Sequence, residues 1–287
     1  MRPAASMPRR CSRCPDAMIG WFENLPLIPA AVVVIGGFVA LAIVFSRLAG
    51  RFIPVELLRE HNELTGFIFA VVGVVYAVIL GFVAVGVWER FVAAEDRTYD
   101  EASNLIAIYR DAGEFGNGAR IRREARAYIE NIVHLGWPVL EYGKGSLETT
   151  GGAETLARDV EHTQPRDARE EALYPTMIAA LDEAMLDRDA RVAEDANGLN
   201  GIMWVVVYAG GIITVAFTFL FGFRQTAMQT AMVGTLALLI GLVIFLMLSL
   251  DYPFRGTIRV GPEAFEHAAH LFDRIDAIDP VAGSQTR

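Results

Sequence analysis

Four stretches of the chain carry no Asp, Glu, Lys, Arg or His: residues 27–46, 66–88, 202–223 and 227–250. About 20 apolar helical residues cross a ~30 Å hydrocarbon core, so each stretch is long enough to span a membrane. Polar segments lie between and around them. The longest, 89–201, shows helical rather than strand-like periodicity. In "TYDEASNLIAIYRDAG" the residues Tyr99, Ala102, Leu105, Ile106, Tyr109 and Ala112 recur at three- and four-residue spacing, predicting a helix that continues from the second apolar stretch. "GEFGNG" breaks it. A second helix is expected over 119–142, kinked or ended by Pro138. "YGKGSLETTGG" reads as a loop and "HTQPRD" as a polar connection. A third helix starts after Asp167 as N-cap and sets Leu173, Met177, Leu181, Ala184 and Met185 on one face.

The expected fold is therefore all-α: a polytopic membrane protein with four transmembrane helices and a helical cytoplasmic region inserted between the second and third. Its parts are a basic leader (1–26) expected to be disordered, spans one and two (27–88), the inserted region (89–201), spans three and four (202–250) and a cytoplasmic tail with a short helix (251–287). In that tail Phe265, Ala268, Ala269 and Phe272 form the expected buried side. The first apolar stretch exceeds the 7–15 residues of a signal-peptide core and no small-residue cleavage site follows, so it is read as a retained span.

Short flanking segments orient spans by their Lys and Arg content. Arg2, Arg9, Arg10 and Arg13 precede span one, Arg90 and Arg97 follow span two, and Arg255 and Arg259 follow span four, whereas only Arg224 separates spans three and four. Both termini and 89–201 are thus expected in the cytoplasm. Arg47, Arg51 and Arg59 argue the other way, but Glu56, Glu60 and Glu63 accompany them.

Charge sharpens the picture. The 287-residue chain has a net charge of −9, and 89–201 alone holds 13 Lys and Arg against 23 Asp and Glu, a net of −10. All the acidity resides in the inserted region. A single Lys among 25 basic residues, with abundant Ala, Val and Arg, points to a GC-rich bacterial genome and hence the inner membrane. Nothing in this balance invites nucleic acid.

Catalytic signatures are missing: there is no P-loop, no G-x-G-x-x-G after a strand, no H-E-x-x-H and no G-x-S-x-G. No enzyme activity and no cofactor are expected. Cys11 and Cys14 form a lone C-x-x-C without a second ligand pair. His267 and His270, with Glu263 and Glu266 nearby, read as the solvated face of the tail helix rather than a metal site. The spans hold no ionisable side chain except tyrosine, which excludes a charge-coupled carrier but leaves a pore closed by apolar side chains, since hydrophobic constrictions gate by dewetting.

Span two is the most patterned. Gly66, Ala70, Gly73, Ala77, Gly81 and Ala84 form a stripe of small residues suited to close helix packing. Val74, Val78, Phe82 and Val85 form another face, which periodicity alone leaves pointing either to lipid or to a central axis.

"AVILGFVAVGVWERF", with "EHNELTGFIFAVVGVVYAV" before it and "EASNLIAIYRDAGEF" after it, resembles a bacterial membrane protein family with a bestrophin-like domain, and "LDYPFRG" with "GPEAF" resembles that family's ending. The resemblance covers roughly 55–275. It extends to bestrophin channels, which are homopentameric and whose second span lines the pore with an apolar neck. Leu80, Gly81 and Phe82 match the pore segment's L-G-F core, and Trp88 and Arg90 its polar end. The resemblance implies a neck at Val74, Val78 and Phe82. Bestrophin necks carry larger residues at the first two places, and no acidic cluster here resembles the bestrophin calcium clasp.

The leading expectation is a homo-oligomeric channel, pentameric by resemblance, conducting inorganic ions across a lipid bilayer. Its acidic region favours cations if it lines the conduit. Glu89, Asp96 and Asp251 are the candidate electrostatic residues, and Gly66, Gly73, Ala77 and Gly81 the candidate packing residues. The alternatives are a non-conducting scaffold or signalling protein and a stator-like energy-transducing subunit that needs a partner.

Overall fold

The structure is a computed structural model that describes residues 27–52, 62–141, 152–196, 198–221 and 226–279. The leader with Cys11 and Cys14, the loop 142–151 and Arg224 lie outside the described residues.

Every regular element among the described residues is helical. They are α1 (Leu27–Phe52), α2 (Asn62–Ala112), α3 (Gly118–Asn131), α4 (Trp137–Glu141), α5 (Ala153–Glu161), α6 (Ala168–Ala196), α7 (Gly201–Phe217), α8 (Thr226–Leu250) and α9 (Glu263–Ile278). Four of them are long and apolar enough to cross a membrane: α1, the first half of α2, α7 with the short 3-10 turn that follows it, and α8. The chain forms two cores. One joins the spans through Ala42, Tyr76, Leu80, Val207, Val215, Val233, Ala237, Ile240, Ile244 and Met247. The other builds a bundle from the second half of α2 with α3 to α6 and α9. The chain passes from the end of α8 straight into the bundle core through Phe254.

Helix α2 belongs to both cores. It runs 51 residues without interruption, about 77 Å at 1.5 Å per residue, more than twice the hydrocarbon thickness. It ends where "GEFGNG" begins, as the sequence predicts. Gly118 is required there because a Cβ would overlap the Ala112 carbonyl oxygen. Arg122 Nε donates to the Tyr109 carbonyl at 3.0 Å and satisfies an acceptor in the last turns of α2.

In the spans α8 lies along α1, and α2 packs on α7 and α8. In the bundle α6 runs beside the lower half of α2, and α9 closes over α2 and α3. Tyr109 stacks on Phe272 with centroids 3.7 Å apart, and Trp137 meets Phe254 and Phe265 edge-on at 5.7 Å each. The Glu101 and Arg191 side chains are fully buried; Arg191 Nε donates to Glu101 Oε2 at 2.8 Å, and Tyr128 Oη donates to Oε1 at 2.7 Å. Burial is the largest cause raising the Tyr128 hydroxyl well above its ordinary range, reinforced by the Glu101 charge.

Two expectations about the bundle change. The helix expected over 119–142 is α3, a π-helical turn at Ile132–Gly136 and then α4. Proline removes a backbone donor, and the wider turn just before Pro138 accommodates that loss without ending the helical path. Helix α5 was not anticipated, because its nine residues show too few turns of periodicity to stand out. Asp167 is the N-cap as predicted: its Oδ1 accepts from the amides of Arg169 and Glu170, both at 2.8 Å. In α9, Ala264, Phe265, Ala268 and Phe272 are buried while His267 and His270 face out. Among the described residues no three His, Cys, Asp or Glu side chains are grouped to hold a metal.

Candidate functional site: the open face of the second span

At about 100° per residue, the buried side of α2 is one line through Tyr76, Leu80, Val87, Ala94, Thr98, Leu105 and Ala112. These residues meet α7 and α8 in the spans and α6 and α9 in the bundle. About half a turn away runs a second line: Phe67, Val71, Val74, Val78, Phe82 and Val85, then Glu89, Asp96, Asp100 and Ser103. Every residue of that line is exposed. Val74 is 64% exposed, Val78 52% and Phe82 75%. From Phe67 to Ser103 this is an uncovered face, apolar through the span and acidic beyond it.

The charges of α2 are sorted. Arg90 Nη2 lies 3.0 Å from Glu194 Oε2, and Arg97 Nη1 lies 2.7 Å from Asp187 Oδ1, so both arginines are turned to α6. Glu89, Asp96 and Asp100 have no ion pair among the described residues and stand on the open face. Of these, Glu89 and Asp96 were anticipated. Asp100 was missed, although its four-residue spacing from Asp96 places it on the same line.

Of the small stripe, Ala84 packs against the core of the spans, whereas the glycines leave nearly open space. A Cβ on Gly73 or Gly81 would meet nothing within 4 Å, and one on Gly66 would only reach the Phe221 ring at 3.9 Å. Ala77 is likewise exposed. With Ala70 they form a flank beside the open face. Packing within the chain relies instead on Tyr76, whose hydroxyl donates to the Val207 carbonyl at 3.0 Å. The "YAGG" of α7 carried that signal, since two adjacent glycines mark a place where another helix approaches closely.

Asp251 is elsewhere. It follows α8, is buried, and accepts from the Leu199 amide at 2.6 Å and from Trp204 Nε1 at 3.4 Å. Both of these partners are N–H donors, which suits a carboxylate tying the entry of α7 to the end of α8 and does not suit a cation ligand. Burial raises its pKa above the ordinary carboxylate value, while the two donors and the nearby Arg90 charge oppose the rise.

The profile of the Bestrophin-like domain family matches residues 36–265. No curated protein sequence matches the chain. Solved structures share the fold. A crystal structure described as a membrane protein aligns with a TM-score of 0.59 at 15% identity, covering 87% of this chain and 99% of its own. A mutant of a bacterial bestrophin homologue from Klebsiella pneumoniae aligns with a TM-score of 0.58 at 15% identity, covering 84% and 98%. Another structure of that homologue gives 0.57 at 16% identity, covering 86% and 98%. The family match spans most of the chain, including α2, α6 and the end of α8, and on that ground this protein belongs to the bestrophin-like family.

Proposed function

We propose that this chain is the subunit of a homo-oligomeric ion channel, pentameric by resemblance to bestrophins, in which α2 surrounds the axis and cations are conducted in preference to anions. The observation that carries the reading is the open face of α2, uncovered from Phe67 to Ser103 and changing from apolar to acidic where the span ends. Copies around an axis supply what one chain lacks: side chains for Val74, Val78 and Phe82 to meet, and an aqueous path for Glu89, Asp96 and Asp100. An apolar neck of this kind conducts or closes by wetting and dewetting. Repeated acids at its mouth raise the local cation concentration and repel anions. The small flank of Gly66, Ala70, Ala77 and Gly81 lets neighbouring copies of α2 approach closely. The arginine distribution supports a bundle and termini on the cytoplasmic side of a bacterial inner membrane.

The test is flux of potassium and of chloride into liposomes containing the purified protein, for wild type and Phe82→Ala. Potassium flux that the substitution alters by severalfold supports a neck on α2. A homogeneous oligomer that passes neither ion would leave a scaffold of the same fold.

A further inference from the structure

Resting on that channel reading, we infer that Asp187, a residue of α6 that lines no part of the open face, determines the ion preference by holding Arg97 away from it. The acids beyond the span do not stand alone on α2: Arg97 follows Asp96 directly and lies three residues before Asp100. On a bare helix a cation at that spacing pairs with the acid one turn on and cancels it. Here Asp187 takes the hydrogen bond and the larger charge interaction, while Asp100 acts on Arg97 only through its charge and more weakly. Its side chain is 6% exposed and receives Arg97 Nη1 at 2.7 Å, while the arginine side chain itself is 53% exposed. The anchor is thus fixed in the bundle and the tethered group is free along most of its length. Released, the guanidinium reaches Asp100 on the open face, and one of the exposed acids there is neutralised in every subunit. Glu194 likewise takes Arg90, two turns nearer the membrane, at 3.0 Å, but no acid of α2 lies one turn from that arginine.

The distinguishing experiment measures reversal potentials of the full-length protein in planar bilayers under a potassium chloride gradient. Asp187→Asn is expected to lower the potassium-to-chloride permeability ratio severalfold. The double variant Arg97→Gln/Asp187→Asn, whose net charge equals that of wild type, is expected to restore it. Asp182→Asn removes an exposed acid from the same helix and is expected to leave the ratio unchanged. A ratio unmoved by Asp187→Asn overturns the inference, as does a double variant that keeps the low ratio. If Asp187→Asn does not assemble, Arg97→Gln gives the test: a ratio equal to that of wild type supports the inference, and a raised ratio, expected of a guanidinium already acting on the open face, overturns it. Wild type that assembles yet carries no current overturns the channel reading itself, and is seen before any variant is compared.

Discussion

The Tyr76 hydroxyl donates to the Val207 carbonyl, and the ring lies where α7 offers Gly210 and Gly211 in place of side chains. A Cβ on Gly210 would overlap that ring, and one on Gly211 would stand 3.0 Å from the hydroxyl. Because Tyr76 sits about half a turn from Val78, this contact fixes which face of α2 is turned outward. Tyr76→Phe keeps the ring and loses a bond expected to contribute about 0.6 kcal/mol in a membrane. Gly210→Val is expected to cost several times more, because the ring and helix must part. Thermal unfolding of both variants in detergent checks the order.

The buried pair in the bundle gives a sharper expectation. Arg191→Met leaves Glu101 charged, enclosed and, among the described residues, accepting from Tyr128 alone, and such a loss costs about 3–5 kcal/mol. Adding Glu101→Leu removes the stranded charge and is expected to recover part of that loss. Chemical denaturation of the two variants, followed by tryptophan fluorescence, would show whether the double is indeed the more stable.

Asp251 makes a pH-dependent contribution whose sign follows from its raised pKa. A carboxyl more easily protonated in the fold than in the unfolded chain adds stability below its unfolded pKa and loses it as pH rises through the folded value. The stability of wild type relative to Asp251→Asn should therefore be greatest in acid, and shrink between the ordinary carboxylate pKa and the raised one. Melting curves at a series of pH values for both proteins test this, and a difference that grows with pH would contradict it.

Stepwise neutralisation of the open face should be graded. Glu89→Gln, Asp96→Asn and Asp100→Asn each remove one acid per subunit, and each is expected to reduce potassium preference, with the triple variant lowest. The effects should diminish at high salt, where the Debye length is about 3 Å at 1 M. Reversal potentials at two ionic strengths provide the check.

Much of this was legible in the sequence because the bilayer and the helix impose simple periods. The four spans follow from apolar length alone, and the outward face of the tail helix from its spacing. Val74, Val78 and Phe82 were readable as one face, but whether that face was covered was not: it depends on where α7 and α8 stand, and nothing local to α2 encodes that. The partner of the small-residue stripe stayed open for the same reason. Gly73 and Gly81 permit close approach without saying to whom, and within the chain the approach is made by Tyr76. Asp251 read as a mouth residue because it ends a span, while its two N–H donors come from residues some fifty positions earlier.

No glycine or proline lies between Gly86 and Gly113, so α2 leaves the membrane and crosses the bundle without a place to bend. The two cores thus share one shaft. A load applied to the bundle, through α6 or α9, is carried by that shaft as far as Gly86, one turn from Phe82. On the channel reading, whatever moves the bundle acts within one helical turn of the neck.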